Sequence, residues 1–172
     1  MEIWDGYTMD KELAGVDLIR EEEFARQSLA NGLYHLVADV VVRHKDGTWL
    51  VMQRSFDLPG HPGEWQVGAC GSVLKGETGY KGALRELREE TGIRARKLVK
   101  VNELSSVHIN GLGVHYEVYY YRTNMDKQSV KLCEGETIAF RWVTTDEVLN
   151  GEYIRDRKWQ VVRHCRYEDI VW

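Results

Sequence analysis

Three glutamates with helical spacing are the most chemically informative group in this sequence. Glu86, Glu89 and Glu90 lie at i, i+3 and i+4 within CGSVLKGETGYKGALRELREETGI, residues 70–93. Like charges one helical turn apart repel each other by roughly 0.2–0.5 kcal/mol per pair, and near a helix C-terminus they also oppose the macrodipole. A bound cation would offset that cost. The alternative is a solvated acidic face that Arg85 and Arg88 partly neutralise.

The neighbouring residues predict the helix that positions these carboxylates. A helix that begins near Thr78 places one stripe of side chains toward the core: Tyr80, Ala83, Leu84, Leu87 and Thr91. The three glutamates then converge on the opposite side of the helix. Gly92 fits the left-handed cap position, and the apolar Ile93 can fold back onto the helix.

The spacing of the whole segment resembles the signature of a known family. It reads Gly71, five residues, Glu77, seven residues, Arg85-Glu86-Leu87, one residue, Glu89-Glu90, one residue, Gly92-Ile93. This pattern resembles the Nudix box of the Nudix hydrolase superfamily, and the similarity in order and spacing extends over about residues 35–150. The resemblance implies an α/β fold, an α/β/α sandwich with a mixed sheet. It also implies a hydrolase that cleaves a pyrophosphate bond in a diphosphate, most often a nucleoside diphosphate, linked to another moiety.

The resemblance further implies a divalent metal cofactor, Mg²⁺ with Mn²⁺ as a substitute. The metal ligands carried over from the family are Glu86, Glu89 and Glu90. A backbone carbonyl at Cys70 or Gly71 is a further expected ligand, because a glycine allows close approach. Mg²⁺ takes oxygen ligands and is bound through one or two carboxylates together with substrate phosphates, which agrees with this set.

Four residues are the expected catalytic and supporting groups. The resemblance makes Arg85 and Glu77 an ion pair that orients the cluster, and the planar guanidinium of Arg can hold a carboxylate at two points. Family members differ in which carboxylate acts as the base, so Glu86 and Glu117 are both candidates. The alternative for Glu117 is an outward-facing strand residue.

A second resemblance points to isopentenyl diphosphate isomerases, which share the fold but shift a double bond. Cys70-Gly71, His35 and Glu117 match positions where these isomerases carry a catalytic Cys, a metal-binding His and a catalytic Glu. The isomerases have His where this chain has Ser72, and their box is degenerate, so hydrolase is the favoured prediction. Cys70 and His35 are otherwise expected to be buried strand residues. A catalytically silent nucleotide-binding module is a third hypothesis, which the complete carboxylate set disfavours.

Composition limits the other classes of function. The chain has 172 residues, 43% of them hydrophobic, and a formal net charge of −4, which predicts a single globular domain over residues 1–172 and no binding to long nucleic acids. Neither a signal peptide nor a membrane span is indicated. Cys70, Cys133 and Cys165 are odd in number and share no C-x-x-C spacing, so the expected compartment is the cytoplasm.

The rest of the chain predicts strands interleaved with helices. Residues 1–34 form an extension with a hairpin and a helix, and residues 152–167 form a basic C-terminal helix. Between them, alternating or apolar runs predict strands, FDLPGHPGEWQ predicts a loop, and TDEVL predicts a helix. The predicted strands cover residues 34–43, 48–55, 97–109, 114–123 and 137–143.

The expected small-molecule substrate is less defined than the chemistry. In the family that the motif resembles, ADP-ribose-cleaving members often carry Pro about fifteen residues beyond the box, but no Pro follows Pro62 here. Members that cleave dinucleoside polyphosphates often carry Tyr there, but His108 lies near that position, so neither signature is matched. Trp65, Tyr119 and Tyr121 could stack a base or fill the core. The hairpin carries apolar residues that need a cover, so a homodimer is expected; the alternative is a hairpin that covers its own sheet.

Overall fold

The computed structural model describes residues 1–20, 32–58, 60–109, 112–151 and 161–162. Nine strands within these ranges form one mixed sheet. The helix predicted over residues 20–30 lies outside the described residues except for Arg20. The C-terminal helix predicted over residues 152–167 also lies outside them, except for Val161 and Val162, which are buried.

The sheet begins with the predicted N-terminal hairpin. β1 (Ile3–Tyr7) and β2 (Leu13–Ile19) pair antiparallel, and β1 joins β3 (Tyr34–His44) where Tyr7 lies opposite Tyr34. Trp4 of β1 is fully buried. β1 therefore packs within its own sheet, whereas Leu13 and Val16 of β2 remain exposed, and the homodimer stays a prediction.

The central strand of the sheet is β3. The other strands are β4 (Trp49–Arg54), β5 (Trp65–Val67), β6 (Ala69–Ser72), β7 (Val99–Ile109), β8 (Leu112–Thr123) and β9 (Thr137–Val143). One edge of β3 pairs in parallel with β8 along its whole length. Its other edge is shared in turn by β1, β6 and β4, all antiparallel to it. This shared edge brings the N-terminal hairpin and β6 close together.

The helix α1 (Gly79–Thr91) has the predicted ends. The Thr78 side chain accepts a hydrogen bond from the Lys81 amide at 3.3 Å. Gly92 has φ 73°, and its amide donates to the Arg88 carbonyl at 2.9 Å. A left-handed residue of this kind closes a helix at little cost when it is glycine.

Helices cover both faces of the sheet. On the α1 face, side chains such as Val40, Met52 and Leu87 form one buried cluster. On the opposite face, Val41, Val51 and Val67 pack with Val148 of the short helix α2 (Thr145–Asn150). The predicted α/β/α sandwich with a mixed sheet is therefore confirmed.

The segment before the box differs from the prediction. Residues 65–67 form β5, which pairs with β4, although Trp65 and Gln66 belong to the predicted loop. Residues 69–72 form β6, a strand that the sequence pattern does not indicate. Within the described ranges, no helix is long and apolar enough to cross a membrane.

Candidate active site

Two of the three helix glutamates are buried, contrary to the predicted arrangement. Glu86 is 8% exposed and Glu90 is 4% exposed, whereas the Glu89 side chain is 52% exposed. The prediction that all three carboxylates lie on the side away from the core is therefore wrong for Glu86 and Glu90. Tyr80, predicted for the core stripe, is 36% exposed.

Small residues on α1 explain why the flank of the helix that carries Glu86 and Glu90 is buried. Gly79 and Gly82 are both buried, and a Cβ at Gly82 would lie 2.9 Å from Cγ2 of Val73. The absence of a side chain therefore lets the helix approach the chain that leaves β6. This close approach brings the flank of α1 that carries Glu86 and Glu90 against the sheet.

The backbone of β6 lies directly against these two carboxylates. A Cβ at Gly71 would lie 2.0–2.2 Å from the carboxylate atoms of Glu86, so only glycine fits beside this side chain. The Cys70 amide donates to Glu90 Oε2 at 3.4 Å. Gly71, Glu86 and Glu90 are thus gathered where β6 meets α1.

Arg85 connects the cluster to the loop that precedes the helix. Its Nε and Nη2 donate to the two oxygens of Glu77 at 3.1 and 3.0 Å, which is the predicted ion pair. Its Nη1 contacts Glu86 at 2.5 Å and Glu89 at 3.2 Å, and its Nη2 also donates to the Ser72 carbonyl at 2.8 Å. One guanidinium therefore fixes three carboxylates and the end of β6.

Burial and ion pairing act in opposite directions on these groups. Burial raises the pKa of Glu86 to about 7, although the Arg85 charge beside it acts to lower it. Burial also acts to raise the pKa of Glu77, but the hydrogen bonds from Arg85 and the Leu74 amide outweigh it, so that this pKa is lowered. Burial acts to lower the pKa of Arg85, yet its bonds to Glu77 and Glu86 leave it raised. Negative charge on Glu86 is thus costly unless a cation lies close to it.

The donors in this cluster fit a hard divalent cation. Carboxylate and carbonyl oxygens are the ligands that Mg²⁺ prefers, and one or two carboxylates are enough when substrate phosphates supply the rest. Glu86, Glu90 and the backbone of Gly71 provide such a set. Across the described residues, no three His, Cys, Asp or Glu side chains are grouped as a complete metal site, so the protein alone offers a partial coordination shell.

The candidate base Glu117 lies at the start of α1, away from this cluster. A Cβ at Gly79 would lie 2.0 Å from Glu117 Oε2, whereas Glu86 lies two turns further along the helix, about 10 Å at 1.5 Å per residue. Glu117 accepts from the Tyr119 hydroxyl at 2.5 Å and pairs with Lys100 at 2.7 Å. It is therefore a bonded residue on the α1 face and not the outward-facing strand residue of the alternative.

The isomerase-like residues are divided between the two faces of the sheet. Ala38 lies opposite both Gly71 and Glu117, while Asp39 lies opposite Cys70. Because side chains alternate along a strand, Cys70 and Glu117 project from opposite faces. Cys70 packs in an apolar cluster of the opposite face.

His35 also lies on the opposite face, with its ring stacked on Trp4 at 4.3 Å between centroids. It is 4% exposed, and burial lowers its pKa to about 4. A neutral, stacked histidine of this kind is a core residue, in agreement with the packing alternative for this position. The structure does not bring His35 to the carboxylate cluster.

Sequence reasoning missed a further carboxylate near the cluster. After the effects of burial and Arg85, the negative charge of Glu136 also contributes to the raised pKa of Glu86. Glu136 lies in the turn before β9, where its amide donates to the Cys133 carbonyl at 3.1 Å. No spacing in the sequence links this turn to α1, because their contact depends on the folding of β9 onto β4 and on the bond from the Lys131 amide to the Thr91 carbonyl at 2.9 Å.

The aromatic candidates for base stacking have different environments. Tyr119 is buried and bonded to Glu117, and Tyr121 is half-buried against the core of the α1 face. Trp65 is half-buried on the opposite face, and the Arg141 guanidinium lies 4.2 Å from its ring centroid. Tyr119 thus fills the core, whereas Trp65 still presents part of its surface to solvent.

Comparisons with known proteins agree with the fold and with the motif. The family model for the NUDIX domain matches residues 33–165. An uncharacterized Nudix hydrolase of Listeria monocytogenes is 33% identical over 163 residues, which cover 90% of this chain and 89% of the relative. An isopentenyl-diphosphate Delta-isomerase of Klebsiella pneumoniae is 25% identical over 133 residues, covering 76% of this chain and 71% of that enzyme.

Solved structures give the same architecture. A Deinococcus radiodurans protein of known structure superposes with a TM-score of 0.68 and 22% identity, covering 95% of this chain and 99% of that chain. At this level of identity the likeness concerns the fold alone. The N-terminal hairpin lies outside the residues that match the NUDIX family.

Proposed function

This chain belongs to the Nudix hydrolase family, and from that premise we propose that it is a divalent-metal-dependent hydrolase. Its proposed reaction is cleavage of the pyrophosphate bond in a diphosphate, most often a nucleoside diphosphate, linked to another moiety. The observation that supports this most directly is the contact between the Gly71 backbone and the buried Glu86 carboxylate, with Glu90 beside them.

In the proposed site, Glu86, Glu90 and the Gly71 carbonyl hold Mg²⁺, and Glu89 approaches from the exposed end of the cluster. The bound ion supplies Lewis-acid polarisation of the phosphoryl oxygens and eases deprotonation of the attacking water. Substrate phosphates complete the oxygen set.

Arg85 and Glu77 are proposed to position the cluster. Glu77 holds one side of the guanidinium at two points, so Arg85 can present its Nη1 to Glu86 and Glu89 at the same time. Groups that hold metal ligands in this way fix their orientation and support metal affinity.

The proposed base is Glu86, since it lies at the cluster. Glu117 is two helical turns away and is already paired with Lys100 and bonded to Tyr119. A base must lie within hydrogen-bond reach of the proton that it removes, directly or through one water. Glu117 is better placed to orient the start of α1 or a distal part of the substrate.

The isomerase alternative is disfavoured by the same geometry. Proton exchange across one double bond needs Cys70 and Glu117 to face a single substrate, but they project from opposite faces of the sheet. The silent binding module is disfavoured because burying Glu86 and Glu90 costs free energy that cation binding would offset.

The test is a panel of nucleoside diphosphate derivatives with Mg²⁺, in which released phosphate is measured after coupling to a phosphatase. Wild-type protein should turn over at least one compound, and Glu90→Gln should lose that turnover together with calorimetric Mn²⁺ binding. Metal binding without turnover of any compound would instead favour the silent module. Conversion of isopentenyl diphosphate to its isomer by wild-type protein would restore the isomerase hypothesis.

A further inference from the structure

The turn that leads into the box helix is held by the N-terminal hairpin. Residues 74–77 form a tight turn in which the Glu77 amide donates to the Leu74 carbonyl at 2.9 Å. Gly76 at its corner has φ 77°, a conformation that favours glycine. Glu77, at the end of the turn, forms the ion pair with Arg85. The position of this turn therefore sets the position of the arginine.

All four backbone amides of the turn donate hydrogen bonds, and the hairpin accepts the two from Lys75 and Gly76. The Leu74 amide donates to the Glu77 carboxylate at 3.1 Å and the Glu77 amide to the Leu74 carbonyl, both within the turn. The Lys75 amide donates to the Ile3 carbonyl at 2.9 Å. The Gly76 amide donates to Asp5 Oδ2 at 2.7 Å. The turn thus holds its own ends, while β1 holds its middle.

A third contact joins the same two segments at the surface. Lys75 Nζ lies 2.5 Å from Asp17 Oδ2 of β2. Both side chains are about half exposed, at 52% and 46%, so this ion pair contributes little to stability. The bond from Gly76 to Asp5 is also exposed, but it holds the backbone of the turn and not the end of a side chain.

We infer that Asp5 is a positioning residue of the candidate active site. The contacts form one continuous chain: Asp5 fixes Gly76, the turn fixes Glu77, Glu77 fixes Arg85, and Arg85 fixes Glu86 and Glu89. This role rests on the proposed function, because it assumes that Glu86 and Glu90 hold the cation. It assigns part of the catalytic framework to a hairpin that lies outside the NUDIX-matched residues.

The test uses two variants of Asp5 that differ only in the hydrogen bond. Asp5→Asn removes the charge but keeps an oxygen that can accept from Gly76, whereas Asp5→Ala removes the acceptor. Groups bonded directly to metal ligands typically cost 10–100-fold when they are removed. Asp5 acts through the turn and Arg85, so Asp5→Ala should weaken Mn²⁺ binding measurably but by no more than about 10-fold. Asp5→Asn keeps a neutral acceptor and should fall between wild type and Asp5→Ala, while the matched surface control Asp17→Asn should stay within about 2-fold of wild type.

A second readout follows the chain of contacts without using the metal. The ¹⁵N–¹H signal of Arg85 Nε reports its bond to Glu77, and it should move in Asp5→Ala but not in Asp17→Asn. Urea unfolding of each variant, followed by circular dichroism, separates local displacement of the turn from loss of the fold. The Arg85 signal remains informative if wild-type protein binds no Mn²⁺. That outcome would overturn the proposed function alone.

The inference is overturned if Asp5→Ala leaves both the Arg85 signal and Mn²⁺ affinity at wild-type values. It is also overturned if Asp5→Asn loses as much as Asp5→Ala, because charge rather than the hydrogen bond would then be responsible. Should Asp5→Ala fail to fold, the pair Gly76→Ala and Lys75→Met tests the same turn. Gly76→Ala strains the left-handed corner and should weaken Mn²⁺ binding, while Lys75→Met removes only the surface ion pair and should not.

Discussion

The two faces of the central sheet bury ionisable groups in different ways. On the α1 face, Glu86 and Glu90 lie beside Arg85 and the β6 backbone, at the edge of solvent. On the opposite face, His35 is stacked on Trp4, and Cys70 sits in an apolar cluster. Burial raises the pKa of Glu86 to about 7, but Arg85 beside it favours the charged form, so this carboxylate can bind a cation near neutral pH. Burial lowers the pKa of His35 to about 4, so this ring is neutral at the same pH and serves packing.

The largest expected effect is on the α1 face, at Glu86. Glu86→Gln should lower turnover by about 10²-fold or more, as expected when a positioned acid–base group is removed. Its melting temperature should not fall, because the amide replaces a carboxylate whose charge is disfavoured by burial. Steady-state kinetics measure the turnover and thermal unfolding measures the melting temperature, with the exposed Glu12→Gln as the control. Unchanged turnover would contradict the prediction that the α1 face carries the active site.

The next effect separates geometry from charge in the same cluster. Arg85→Lys keeps the positive charge but loses the planar fork that reaches Glu77, Glu86 and Ser72 together. Activity should fall by about 10–100-fold, as for other groups that orient ligands. Arg88→Lys, on the exposed side of the same helix, is the matched control and should keep wild-type rates. Equal activity of the two variants would mean that a point charge is sufficient.

Substitutions on the opposite face should change the stability of the protein and not its activity. His35 has a pKa of about 4 in the folded protein, against an ordinary value of 6.5, so the unfolded chain binds the proton first as pH falls. Stability is complete above about pH 6.5 and is lost progressively toward pH 4, by an amount on the order of 3 kcal/mol. Urea unfolding at several pH values should show this slope. His35→Gln should flatten it and the exposed His61→Gln should not, and a slope that His35→Gln leaves unchanged would contradict the assignment.

The smallest effect is expected at Cys70. Hydrolysis needs no thiol, and the Cys70 side chain faces away from the carboxylates, so Cys70→Ala should keep activity within about 2-fold of wild type. The measurement is turnover of the compound identified by the panel, together with a test for isomerisation of isopentenyl diphosphate. Abolished turnover in this variant would show that the opposite face takes part in the chemistry.

The sequence predicted the box helix because local rules govern its ends, and it predicted the ion pair through the family resemblance. Thr78 can cap only the helix that follows it, and Gly92 can close only the helix before it. Arg85 and Glu77 are eight residues apart and meet through a single turn. The short strands β5 and β6 were missed because glycine-rich segments carry too little alternation to be read as strands.

The burial of Glu86 and Glu90 was not predictable from helical periodicity. A helical projection places charges outward unless something draws the helix closer to the sheet. Here Gly79 and Gly82 do so, and their effect depends on contacts with Glu117 and Val73 from other parts of the chain. The positions of Glu136 near Glu86 and of Asp5 beside Gly76 have the same origin, since both come from long-range contacts.

The parallel pairing of β3 with β8 has a consequence for how the chain folds. The two strands are linked by a crossover that runs from residue 45 to residue 111 and contains the whole box segment. Closing so long a loop costs chain entropy before the strand pairing contributes any stabilisation. Non-local contacts of this kind slow folding. The capped helix can form early from local signals. The contact between Gly79 and Glu117 forms only after the crossover closes, so docking of the helix start onto β8 should be among the last steps of folding.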